Sequence, residues 1–153
     1  MAAQAAADRV QEALETIASA LLLDVTVEVE EDEDGLFAEF LGEDVAPLIG
    51  HHGATLDAIQ HLASRIAYQG SSSRGHVTVD AGGYRERREE ALEAMADQAA
   101  AAAIRDARPV SLEAMNAAER RVVHEHLKDR FEVETYSEGE EPNRHLVVAP
   151  LVS

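Results

Sequence analysis

The sequence predicts an α+β fold of two small modules joined by a long helix, and three observations carry that prediction. Over residues 3 to 80 the apolar spacing runs helix, strand, strand, helix, helix, strand. Gly82-Gly83 then breaks the pattern, and from Tyr84 to about Ala107 the chain is rich in Ala, Glu and Arg with no helix breaker. Beyond Arg108-Pro109 a second, shorter set of strand and helix patterns follows.

Each element has its own reason. Val10, Leu14, Ile17, Ala18 and Leu21 recur at helical spacing, with Asp8, Glu12 and Glu15 off the stripe, so residues 3 to 22 form an amphipathic helix. Val25, Val27 and Val29 alternate with Thr26, Glu28 and Glu30; after Asp34-Gly35 comes Leu36 to Leu41, and the pair reads as a hairpin. Pro47 permits only a short helical turn before Gly50. The next helix sets Leu56, Ile59, Leu62, Ala63 and Ile66 on one side and stops near Tyr68-Gln69-Gly70. Ser71-Ser72-Ser73 is a loop, and Val77 and Val79 alternate with His76, Thr78 and Asp80 as a third strand.

The long helix opens with the basic cluster Arg85, Arg87 and Arg88, and its Ala99 to Ala103 run supplies helix propensity. Val110 and Leu112 suggest a short strand. Asn116, with Glu119 three residues on, is an N-cap signature for a helix reaching about Leu127. Val133 to Tyr136 and Leu146 to Val148, around a loop with Gly139 and Pro142, complete the second unit. The expected division is 1–81, a linking helix over 82–107, and 108–153.

The chemistry centres on Ile49-Gly50-His51-His52-Gly53, directly before a helix. Two glycines around two polar residues let a backbone loop lie against phosphates with no Cβ in the way, and the amides opening the helix face the anion. Histidine gains its positive charge as pH falls through its titration range, so such a loop is expected to hold phosphate more tightly at lower pH. The histidine pair also raises a metal site, but nothing nearby supplies two further ligands, and no metal or cofactor is expected.

Composition argues the other way. Thirty acidic against thirteen basic residues give a net charge of −17, and affinity for a polyanion comes largely from Lys and Arg. Residues 1 to 41 hold eleven of the acids and a single base, Arg9. Screening over about 8 Å leaves distant acids with little influence on a bound strand. The acids from Glu28 to Asp34 are a solvated strand end or a docking site for a basic partner. The chain has no cysteine, which excludes disulfides and thiolate metal sites, and no apolar run long enough for a membrane span. It reads as a cytoplasmic protein without membrane insertion. There is no nucleophile elbow, phosphate-loop Lys or zinc-protease helix, so an enzyme is not expected.

The glycine loop in this order of elements resembles a type II KH domain, αββααβ, across residues 3 to 80. That resemblance implies a backbone clamp on about four nucleotides at Gly50, His51, His52 and Gly53, with Ile49 lining an adjacent apolar groove. The two middle positions, often Lys, Arg or Gly in that family, are histidines here. Arg120-Arg121-Val122-Val123-His124 sets Arg120 and His124 one helical turn apart. On its own that is an ordinary exposed pair. With Ser137, Gly139, Glu141 and Arg144 downstream, residues 108 to 149 resemble the small domain named for its Arg-x-x-x-His, whose members bind single-stranded nucleic acid. Arg120, Arg121, His124 and Arg144 are its expected contacts, and Arg85, Arg87 and Arg88 are expected to bridge the two modules. Tyr136 is either a stacking platform or packing under the final strand.

The ordered pair of motifs resembles the bacterial Jag family, also called SpoIIIJ-associated, KhpB or EloR, over almost the whole chain. Many members carry an N-terminal Jag domain, which this sequence is expected to lack. The resemblance implies single-stranded RNA as partner and association with a small single-KH protein or self-association. It further implies a role as post-transcriptional regulator or RNA chaperone linked to cell elongation and envelope growth. The competing expectation is a protein-interaction or dimerisation adaptor with an acidic docking surface and little RNA affinity.

Overall fold

A computed structural model describes residues 2–72 and 74–151. Ser73, the last serine of the predicted loop, and the chain ends Met1, Val152 and Ser153 lie outside the described residues. The chain divides into two compact units, Met1–Arg85 and Glu86–Ser153.

The first unit contains α1 (Ala2–Ala20), β1 (Thr26–Glu31), β2 (Gly35–Leu41), α2 (Ala46–Ile49), α3 (Ala54–Ala67) and β3 (His76–Ala81). Its sheet order is β1-β2-β3, with β1 antiparallel and β3 parallel to β2. The parallel pairing follows from the crossover through α2 and α3. Strand alternation turns Leu36, Ala38 and Phe40 into the core with Val77 and Val79, where α1 delivers Val10 and Leu14 and α3 delivers Leu56 and Ala63. The hairpin turn is held by Asp32, whose Oδ1 accepts from the amides of Asp34 and Gly35 at 2.8 and 3.0 Å.

Two core assignments differ from expectation, the first being Leu21, which lies beyond the end of α1 and is 50% exposed. Leu62 is 52% exposed, and the buried stripe of α3 is Leu56, Ile59, Ala63 and Ala67. Those positions fall within a narrow arc of the helix, whereas Leu62 stands at its flank beside Ile66.

The second unit comprises α4 (Tyr84–Asp106) from Glu86 onward, β4 (Val110–Ser111), α5 (Ala117–Leu127), β5 (Val133–Glu138) and β6 (His145–Pro150). Its sheet is antiparallel, in the order β4-β6-β5. Leu92, Ala96, Ala99, Ala100 and Ala103 of α4 share a core with Val123, Leu127, Val133, Leu146 and Val148. The stretch read from sequence as a linking helix therefore supplies one wall of this core. Alanine is small enough to let neighbouring elements approach closely, so its methyl groups bury without a Leu or Ile stripe to announce them.

Candidate nucleic-acid interface

In the first unit, α2 is a single turn with Pro47 near its start, pinned by fully buried Leu48, while Ile49 is half-buried against the core. The chain then leaves helical geometry. Gly50 has φ 72° and ψ −169°, a region open essentially to glycine alone, and His52 and Gly53 are left-handed at φ 51° and 80°. A Cβ on Gly50 would stand 2.2 Å from Thr55 Oγ1, and one on Gly53 would stand 2.8 Å from Tyr84 Cε1. Both glycines are thus demanded by the loop's own fold, in addition to any closeness to a ligand.

Between them, His51 is exposed and His52 half-buried, their rings stacked with centroids 3.9 Å apart. Gly53 caps α3 without a side-chain hydrogen bond, so the amides at the start of α3 lack a side-chain acceptor there.

The expected bridging cluster is not one patch. Arg85 donates to Val79 O at 2.8 Å, Asp57 Oδ1 at 2.9 Å and Gln60 Oε1 at 3.0 Å, which ties the start of α4 to the first unit. Buried Asp80 accepts from the amides of Ala81 and Arg85 at 2.8 and 3.2 Å. Arg88 belongs to the second unit, where its Nε lies 2.8 Å from Glu119 Oε1 and its side chain is 15% exposed. Arg87 is exposed on the same helix. Arg85 and Arg88 act as internal struts.

In the second unit, Asn116 caps α5 by accepting from the Glu119 amide at 2.9 Å, as its position predicts. The Glu119 carboxylate turns to Arg88 rather than back to the cap. Arg120, Arg121, His124, Tyr136 and Arg144 all line one open concavity of about 580 Å³, together with Thr135, Ser137 and Glu141. Their roles within it differ. Arg120 is buried and donates to Met115 O at 2.6 Å and to Glu141 Oε1 at 2.7 Å. His124 Nδ1 is 2.5 Å from Thr135 Oγ1, which orients the ring, and its Nε2 has no partner among the described residues. Arg121 is exposed and Tyr136 is 44% exposed. Arg144 is half-buried and donates to Gly139 O at 3.4 Å.

Two family models match the chain: the KhpA/KhpB KH domain over residues 9–79, and the domain named for its Arg-x-x-x-His motif over residues 90–150. The chain is also similar to the RNA-binding protein KhpB of Bacillus subtilis, 35% identical over 147 residues that make up 93% of this chain and 71% of that protein. The chain belongs to the KhpB family. The RNA-binding protein KhpB of Clostridium symbiosum is 40% identical over 144 residues, and this chain spans 65% of its length. The KhpB of Lactiplantibacillus plantarum is 38% identical over 102 residues, 32% of its length.

Within this KhpB-family chain, sequence reading passes over Thr135 as the partner of His124. Period-2 alternation from buried Val133 turns Thr135 toward α5, which is the signal that identifies it. The division of labour between Arg120 and Arg121 carries no such signal, since both are arginines on one helix. No helix among the described residues is long and apolar enough to cross a membrane, and no group of three or more His, Asp or Glu among them could hold a metal ion.

Proposed function

We propose that the protein binds single-stranded RNA without performing chemistry on it, using the His51-His52 loop in the first unit and the Arg121, His124, Tyr136 and Arg144 concavity in the second. The observation that carries this reading is the convergence of those second-unit side chains on one open concavity. It offers a guanidinium, an imidazole with an open nitrogen and a phenol ring, the groups that pair with phosphate and stack on bases. The names of the KhpB relatives as RNA-binding proteins support it. Arg120 is a positioning residue in this reading, because it is buried and each terminal nitrogen already has an acceptor within the protein.

Two weak sites on one chain give avidity when a single strand spans both, so each alone need be only micromolar. Cytoplasmic location, a partnership with a single-KH protein or a second copy, and a post-transcriptional or chaperone role in cell elongation extend the proposal on family resemblance alone.

The test is fluorescence anisotropy of a randomised single-stranded RNA pool at low and moderate salt, with wild type and an Arg121→Ala, His124→Ala variant. Saturable, salt-sensitive binding that drops in the variant upholds the proposal. Absence of binding by the wild type at low salt overturns it and favours the adaptor reading, for which β1 is the relevant feature: an outer strand with Glu28, Glu30 and Glu31 exposed.

A further inference from the structure

Where α3 ends and the chain turns back toward β3, the first unit has a cleft of about 620 Å³ lined by Ser64, Arg65, Tyr68, Gln69 and Arg74 among others, with no carboxylate in its walls. Arg65 and Arg74 are both exposed, and neither guanidinium has a hydrogen bond or ion pair among the described residues. Arg85, Arg88, Arg105, Arg120 and Arg130, by contrast, each have a carboxylate oxygen within 3.4 Å. The walls of this cleft thus hold two guanidiniums and no carboxylate, while the acidic Asp32–Asp34 turn leads into Gly35, which pairs with His76 at the neighbouring strand end.

Two further features suit an anion. The carbonyl end of α3 would repel one, but Arg9 covers that end, its Nη2 donating to Ala67 O at 2.6 Å. Tyr68 stands in the cleft wall because residue 75 is glycine: a Cβ there would lie 2.3 Å from the Tyr68 hydroxyl. The cleft therefore has two forked donors and an aromatic wall. The glycine loop lies at the other end of α3, whose 14 residues span about 21 Å, too far for the two to share one phosphate.

We propose that this cleft is a second phosphate-binding site, in which Arg65 and Arg74 hold a phosphoryl group beside Tyr68. The group comes either from the backbone of a bound RNA, which rests on the function proposed above, or from a free nucleotide.

The experiment uses the full chain as wild type, as Arg65→Gln, Arg74→Gln, and as Arg65→Lys, Arg74→Lys. Arginine side-chain NMR signals are followed during titration with inorganic phosphate and with adenosine monophosphate, and RNA binding is measured from about 50 to about 200 mM salt. Saturable shifts confined to Arg65 and Arg74, lost in the glutamine variant and partly kept by lysine, uphold the site. If RNA is the source, the glutamine variant loses its hold on one phosphate and its salt slope flattens by about 0.7. The wild-type affinity then falls about 2.6-fold more than that of the variant across this salt range. Localised shifts with an unchanged RNA slope assign the site to a free nucleotide. No localised shift together with an unchanged slope overturns the proposal. A wild type that binds no RNA fails the earlier reading, and the phosphate titration alone then decides the cleft.

Discussion

The Arg120 guanidinium donates to the Glu141 carboxylate across 2.7 Å, from a side chain that is 10% exposed to one that is 59% exposed. Its other terminal nitrogen holds the Met115 carbonyl at 2.6 Å. The arginine thus joins the segment before α5 to the loop between β5 and β6. Arg120→Ala is expected to destabilise the second unit by roughly 1.5–3 kcal/mol, the range for hydrogen bonds to charged groups. Arg120→Lys should recover little, because an ammonium cannot span both acceptors as the fork does. Glu141→Gln should cost under about 1 kcal/mol, since that end of the pair is solvated. Urea denaturation of the three variants checks the order; equal losses for Arg120→Ala and Glu141→Gln would contradict it.

For the glycine loop, substitutions at the glycines and at the histidines should separate. Gly50→Ala meets Thr55 and a forbidden backbone region, and Gly53→Ala meets the Tyr84 ring, so each should lower stability by about 1–3 kcal/mol. His51→Asp with His52→Asp should leave the melting temperature nearly unchanged, because Asp tolerates the left-handed geometry at position 52, and should weaken RNA binding through charge. Calorimetry and anisotropy at fixed pH and salt provide the check.

Thr135→Val removes the hydroxyl that orients His124 while preserving shape. RNA affinity should fall several-fold with little change in stability. Tyr136→Ala should cost about 1–3 kcal/mol of RNA binding, and Tyr136→Phe much less, if the ring stacks on a base. An equally large loss in Tyr136→Phe would transfer the role to the hydroxyl. Anisotropy against one RNA pool reads all three variants.

On the exposed surface of α5 and the residue following it, Lys128 Nζ donates to Glu125 Oε2 at 2.7 Å, and that hydrogen bond is the main cause of a lowered Glu125 pKa. A carboxyl whose folded pKa is depressed adds stability above its unfolded pKa and loses it as pH falls through the folded value. The pair is fully solvated, so its effect belongs in a titration curve rather than a stability measurement. Lys128→Ala should raise the Glu125 midpoint toward the ordinary glutamate value, followed by NMR of the side-chain carboxyl carbon.

Most of the element order is legible because alternation and helical spacing are local signals. The Val27 to Val29 run, the cap at Asn116 and the end of α5 at Leu127 all lie where the pattern places them. Leu62 departs from the pattern because a helix can carry a leucine at the flank of its buried arc, and only packing against α1 defines that arc. The alanines of α4 register in the sequence as propensity alone, since burial of a methyl group leaves no periodic contrast with polar neighbours. The convergence of α5 and β5 residues on one concavity accords with the motif, but the internal engagement of Arg120, Arg85 and Arg88 has no local signature. Their partners Glu141, Asp57 and Glu119 lie 21, 28 and 31 residues away in the chain.

Those internal ties also bear on time. Arginines already held by Glu141, Asp57 and Glu119 cannot tighten on a ligand after it lands, so its release depends on the few cations left over. A micromolar contact formed at ordinary association rates dissociates on the order of 0.1–10 times per second. On the proposed function, each contact opens and recloses on this timescale, and a transcript that spans both sites leaves only when both happen to be open together.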